Sequence, residues 1–463
     1  MKKKIMLVMA ALLMCIALLP AAAWAAGVVI EQNDEVVDIG KKIQGEIDKL
    51  RLTGGTVTVT GQKDGADETL HLVVHENVTV VWKAKYSGGV NDGDLINIVG
   101  FGTFEVADGC VKAEVEVSAE PDGEPIIGET AAAAYAISGT FGKLVVTGGE
   151  VSATAIGGDI ELATAISVNY GSLTVTGGEV SATTEDEDGN RDFDLAIAIY
   201  GNNSEVTVTG GQISVQADYG NGIAAFAIVG SGNSEIMVTG GIIEAEALGI
   251  ALGIGTADKG EQTVTVAGGS VKAEAGMIAM AIGATSEGTS KVTVVDGELT
   301  AVSDRKAEAI ALKNGAVTVI GGKVKAIGDE YGEEPPAAIS ITKKGVAAYL
   351  KDTCIGGFKV VGEDNFESAI GMIVEVEDLT IPSSYHGESE GLMKKAGGVS
   401  AVWDAEGVVT EIVFTLEDAS KMRLVWGPGS CDTGGGSCGN TGVGTLGALI
   451  MILGAAWAAK RRG

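Results

Sequence analysis

Oxygen-bearing side chains recur at every second position of the segment EDEDGNRDFD (185–194): Asp186, Asp188, Asn190, Asp192 and Asp194. Calcium takes about six to eight oxygen ligands and favours such spacing around a glycine. One expectation is therefore calcium held by Asp186, Asp188, Asn190 and Asp192. A solvated acidic loop is the other. An EF-hand does not fit, because Arg191 stands where a glycine is needed and the later glutamate is missing. Nucleophilic and acid–base chemistry is less well marked. His71, His75 and His386 pair with no serine or cysteine motif and lack metal-ligand spacing. His71 and His75 fall on strand-like segments and read as structural. Carboxylates are abundant, yet no acid motif recurs on neighbouring repeats as a glycosidase pair requires. Arg305 and Lys306 lie in a polar stretch and read as solvated. Cys110 and Cys354 stand alone, while Cys431 and Cys438 sit among glycines, which is no disulfide framework. An inward strand position is expected for Cys110. The residues thus lead us to expect no catalytic constellation, no enzyme, and no cofactor beyond calcium.

What must position any site is a repeat. Strand-like segments flank a glycine pair or Asp-Gly in LVVTGGEVSATA (144–155), LTVTGGEVSATT (173–184), VTVTGGQISVQA (206–217), IMVTGGIIEAEA (236–247), VTVAGGSVKAEA (264–275), VTVVDGELTAVS (292–303) and VTVIGGKVKAIG (317–328). A weaker copy, FEVADGCVKAEV (104–115), precedes them. A period of roughly 30 residues marks a solenoid or array. Apolar and polar residues alternate within each copy, which is the period of a strand with one buried face. A third strand follows a variable loop, as in AYAIS (134–138), AIAIY (196–200), AFAIV (225–229), AMAIG (279–283) and AIALK (309–313). Three strands and three corners make one turn of a parallel β-helix. Stacking then predicts a ladder of Ile137, Ile166, Ile199, Ile228, Leu252, Ile282 and Leu312. Beside it would run Ala136, Ala165, Ala198, Ala227, Ala251, Ala281 and Ala311. Which ladder lies inward stays open at this point.

The outward row of the second strand reads Ser152, Ser181, Ser214, Glu244, Lys272, Thr300 and Lys325, with Glu244 and Lys272 as expected neighbours. Thr174/Thr176 and Thr207/Thr209 stack as two Thr-x-Thr rows, a pattern found in ice-binding solenoids. Met237, Ala267, Val295 and Ile320 interrupt it, and threonine is in any case a good strand residue.

Lys2, Lys3 and Lys4 precede an apolar run, and Ala23-Trp24-Ala25 is a small-x-small cleavage site. Residues 1–25 therefore read as a secretory signal peptide, with Ala23 and Ala25 as the residues seen by signal peptidase. Ile39, Ile43, Ile47 and Leu50 then share one helical face. A short amphipathic helix there would cover the end turn, whose apolar edge otherwise invites aggregation. Asp38, Ile43-Gln44 and Ile47-Asp48, followed by Gly54-Gly55-Thr56-Val57, resemble the opening segment of pectate-lyase-like right-handed parallel β-helices. Lys42 and Glu46 stand where that family usually has alanine. The resemblance, which with the repeats covers roughly residues 35–345, implies a capping helix and a right-handed coil.

The chain's other end changes character. VSAVWDAEGVVTEIVFTL and MRLVW read as strands of a small antiparallel sheet, an expected second cap. GPGSCDTGGGSCGNTG (427–442) has flexible linker composition. Val443 to Ala459 is uncharged and mostly apolar, and Lys460, Arg461 and Arg462 follow, which predicts a transmembrane helix with a cytoplasmic tail. The order of Gly/Cys motif, apolar helix and basic cluster resembles bacterial C-terminal sorting signals of the GlyGly-CTERM and SYNERG-CTERM kind. Gly435, Gly436, Cys438 and Asn440 carry that likeness, although Ser437 and Gly439 depart from it. The resemblance implies a membrane sorting protease that cuts near the motif, with Cys438 as the processing or attachment residue.

The division expected is 1–25 signal peptide, 26–100 capping helix and first turns, 101–345 repeat β-helix, 346–426 last turn and β region, 427–442 linker and sorting motif, and 443–463 transmembrane helix and tail. With 70 glycines in 463 residues and 5% aromatics, the chain suits tight corners around a narrow core. A net charge of −30 disfavours nucleic acid and polyanionic substrates. The reading is an all-β parallel β-helix of about eight or more turns. It is expected to be exported to the cell surface, with an adhesive or structural role towards glycans, host surfaces or neighbouring cells. A surface polysaccharide lyase or glycoside hydrolase is the competing class, favoured by acids and a basic residue gathered in a groove. A self-associating surface-layer protein is the third.

Overall fold

The computed structural model describes residues 25–90, 93–116, 131–157, 160–185, 193–217, 224–257, 260–284, 289–319, 322–328, 337–349, 354–356, 392–393, 399–403, 409–415 and 421–425. Parallel pairing joins 28 strands into a β-solenoid of about nine turns. Each turn contributes one strand to each of three faces. On the first face Thr103, Lys143, Ser172, Glu205, Glu235 and Thr263 stand one above another. On the second, Val111, Val151, Val180, Ile213, Ile243 and Val271 do the same. Alternation decides what is buried: Val151, Val180, Ile213 and Ile243 are fully inward, while Glu179, Gln212 and Glu244 face out. Fully burying each Val or Ile contributes about 1.5–3 kcal/mol, and in-register stacking repeats that gain on every turn. The corner between these faces needs a left-handed residue, supplied by the second glycine of the pair, as at Gly178 (φ 77°) and Gly211 (φ 81°).

The third face carries the isoleucine ladder, with a corrected register. Ile228 pairs with Ile254, not Leu252, and Ile282 pairs with Ile310, not Leu312. Both segments offer apolar residues two positions apart, and a two-residue slip keeps the same face buried. Sequence pattern alone therefore does not choose between them. The ladder runs Ile137, Ile166, Ile199, Ile228, Ile254, Ile282 and Ile310, and the adjacent alanines Ala136, Ala165, Ala198 and Ala227 are equally buried.

The N-terminal end is closed in three ways, one for each face. Ala25–Ile30 adds a short parallel strand to the first face, pairing Ala25 with Thr56 and Ile30 with Gly61. On the second, the Gln32 side chain acts as a strand: its Nε2 donates to the Asp64 carbonyl at 3.0 Å and its Oε1 accepts from the Asp64 N–H at 3.0 Å. On the third, Gln44 does the same for Val73, at 3.1 and 2.9 Å. Gln44 projects from the helix Val36–Lys49, whose Ile39, Ile43 and Ile47 are fully buried. Asp38 in its first turn and Lys49 in its last complement the helix dipole. His75 lies in the following corner rather than on a strand, 3.1 Å from Asp48 Oδ1. The amide of Gln44 first, and His75 after it, hold the Asp48 carboxyl below the ordinary carboxylate range. His75 thus ties helix to solenoid.

A separate four-strand antiparallel sheet is formed by Leu392–Met393, Val399–Trp403, Val409–Thr415 and Lys421–Val425. No helix among the described residues is long and apolar enough to cross a membrane. Residues 443–459 lie outside the described residues.

Candidate functional site

Most of the residues expected to do chemistry fall outside the described residues. These are Asp186, Asp188, Asn190 and Asp192 of the acidic loop, Ala23 of the cleavage site, and Gly435, Gly436, Cys438 and Asn440 of the sorting motif. Ala25 opens the first strand, and Asp194 is described and buried, in register with the equally buried Glu161. Among the described residues, no three His, Cys, Asp or Glu side chains gather as a metal group.

Three expectations change. Val111, Ala113 and Val115 occupy the inward positions of Cys110–Glu116, so strand parity puts Cys110 outward with Lys112 and Glu114. It is half-buried and free, its Sγ 4.0 Å from Glu150 Oε2; burial, and then that carboxylate, push its thiol pKa up. Lys272 is in register with Glu244, as expected, but its Nζ pairs along its own strand with Glu274 Oε2 at 2.7 Å. Lys306 is not simply solvated: it opens a strand and lies 3.6 Å from the largely buried Glu308.

Among the described residues, two surface features could meet a ligand. The first is an open groove of about 300 Å3 on the second face, lined by Glu246, Leu248, Glu274, Gly276, Ser303 and Asp304. Glu246 and Glu274 are register partners on adjacent turns. The basic residue beside them is Lys272, whose pKa is raised by its hydrogen bond to Glu274. A lysine that must accept a proton needs its pKa lowered. This one is held as a cation, so Lys272 does not serve as the base, and a proton taken up in the groove would go to a carboxylate.

The second feature is an aromatic column at the corner between the third and first faces. Phe101, Phe141 and Tyr170 each lie two residues before the register-matched Thr103, Lys143 and Ser172. Their ring centroids are 5.9 and 5.7 Å apart, the second pair stacked at 23°. They are 71%, 49% and 58% exposed. Phe141 and Tyr170 sit at φ 68° and 54°, where the same column places Asn77 (65°) and Asn203 (48°) on other turns. Asparagine tolerates this region and bulky side chains rarely do. Beside the rings runs a chain of amides: Asn203 Nδ2 donates to Asn202 Oδ1 at 2.8 Å, and Asn202 Nδ2 to Asn169 Oδ1 at 3.2 Å. This column is hidden in the sequence because its members lie in corners of unequal composition, outside the strand repeat. Two aromatics two residues before a first-face strand, Phe141 and Tyr170, were the available signal.

No family model, no curated protein and no solved structure matches this chain.

Proposed function

We propose that the protein is an exported cell-surface β-helix whose role is adhesive or structural, delivered through its C-terminal Gly/Cys motif. The observation that carries this reading is the solenoid itself. In-register parallel pairing makes an extended scaffold that presents long rows of side chains at a fixed pitch. The amphipathic helix over the first turn, the apolar 443–459 segment with its basic tail, and the signal-like N-terminus support the same reading. The helix, with the Gly54-Gly55-Thr56-Val57 segment that follows it, also supports a pectate-lyase-like lineage for the coil. The test is protease shaving of intact cells that express the full chain. The reading requires the body to be cleaved from the outside, and a Cys438→Ser chain to be retained in the membrane fraction. A body protected in intact cells contradicts export, and normal display of Cys438→Ser removes the cysteine from the sorting step.

A surface polysaccharide-cleaving enzyme is the second reading, favoured by Glu246, Glu274 and Asp304 in one groove beside Lys272. It is the weaker one, because the groove is open to solvent and Lys272, paired with Glu274, is not placed to take up a proton as a lyase base would.

A further inference from the structure

The geometry points to the corner column of Phe101, Phe141 and Tyr170, with the neighbouring amides of Asn169, Asn202 and Asn203, as a docking strip for an uncharged polysaccharide. The inference rests on the adhesive reading above and names the class of ligand. Single exposed apolar residues are ordinary, but a contiguous exposed run signals a contact surface. Here three aromatic rings on three successive turns are 71%, 49% and 58% exposed.

The backbone supplies an independent argument. Phe141 and Tyr170 are held in the left-handed region at φ 68° and 54°. Asn77 and Asn203 fill the same column elsewhere at φ 65° and 48°, so a better-suited residue type is in use at this corner. An aromatic there is strained, and strain retained at exposed positions points to contact with a ligand rather than to folding.

Chemistry selects the ligand. Pyranose rings present C–H faces that pack on the electron-rich faces of aromatic rings, and hydroxyls that exchange hydrogen bonds with amides. The strip offers both side by side, with Asn233 N–H donating to Asn203 Oδ1 at 3.2 Å to fix the last amide. None of its six residues is charged, on a chain of net charge −30. A polyanion is therefore repelled by the surroundings, while a neutral chain meets no penalty. Its rings are largely exposed rather than enclosed, so they do not desolvate a lipid tail or a buried protein anchor. A polymer lying along successive turns uses its full length.

The test is affinity electrophoresis of the full chain, solubilised in detergent, through gels containing barley β-glucan, laminarin, galactomannan or polygalacturonate. The comparison is Phe141→Asn/Tyr170→Asn, which places at both sites the residue type already present at Asn77 and Asn203. At least one neutral glycan is expected to retard the wild type, with roughly tenfold weaker retention of the double variant. The variant's melting temperature should be unchanged or higher, since the strain is relieved. Retention that survives the double substitution overturns the strip and leaves the adhesive reading standing. Retention by no neutral glycan overturns the strip as a polysaccharide site, while the surface-display reading stands or falls on protease shaving. Retention by polygalacturonate alone assigns binding to cations such as Lys143. A double variant that melts well below wild type makes the column a structural stack. Sedimentation that changes from multimer to monomer on substitution, without any glycan effect, makes it a self-association surface. Phe141→Leu/Tyr170→Leu keeps an apolar column without rings, and is expected to lose retention as the asparagine variant does.

Discussion

Gly211→Val is expected to destabilise the solenoid by on the order of 4 kcal/mol. Two costs add. Gly211 sits at φ 81°, where a β-branched residue pays for steric conflict within its own backbone. A Cβ there would also stand 2.8 Å from the Gly178 carbonyl oxygen and 2.9 Å from the Gly177 carbonyl carbon of the preceding turn. Both are backbone atoms held by the parallel ladder, so neither can swing aside as a flexible side chain does. Relief requires the two turns to part, which breaks neighbouring hydrogen bonds such as Gln212 N–H to Gly178 O at 2.9 Å. Stability in a repeat array is carried by nearest-neighbour interfaces, so the damage should stay local. Hydrogen exchange should show lost protection over 175–217 with the first turns intact, and calorimetry a split transition. The adjacent exposed Gln212→Ala should change stability by no more than about 0.5 kcal/mol. Equal effects at both positions would mean that the close stacking of turns is not what holds the corner.

Ile43→Glu should release the N-terminal cap and turn the protein into an aggregating species. Ile43 is fully buried between Ile39 and Ile47 on the face the helix applies to the coil. Substitution removes about 1.5–3 kcal/mol of apolar burial and adds the cost of a carboxylate without a designed partner. The helix has one simple escape, which is to undock. Undocking takes Gln44 away from Val73 and uncovers Leu70 and Leu72 at an unpaired strand edge. An open, apolar parallel edge is a template for another chain. Light scattering should therefore rise with concentration for Ile43→Glu while wild type stays flat. Lys41→Glu, on the exposed side of the same helix, should behave as wild type. A monomeric, fully folded Ile43→Glu protein would show that the helix is not what guards the end.

Much of this architecture is legible in the sequence because a repeat states its own packing. Strand alternation such as Val206–Thr207–Val208 and the glycine pairs fix faces and corners, and Ile39, Ile43 and Ile47 announce the cap. What stays hidden is whatever a two-residue shift leaves unchanged, as with Ile254 against Leu252, or whatever depends on one side chain's reach. Gln32 and Gln44 look like ordinary polar residues, yet each stands in for a strand. The candidate site is less legible still. Phe101, Phe141 and Tyr170 are separated by roughly a full repeat in the chain, and only the stacking of turns brings their rings together. The acids that do stand out in sequence, Asp186 to Asp192, lie outside the described residues, while Glu246 and Glu274 become neighbours only through register.

The central claim is that this coil presents rather than converts. The measurement that tests it most directly is a glycan array probed with the full chain, with mass-spectrometric analysis of every sugar it retains. Retained glycans recovered intact are the expected result. Shortened or unsaturated products would contradict the claim, and Glu246, Glu274 and Asp304 would be the first residues to replace.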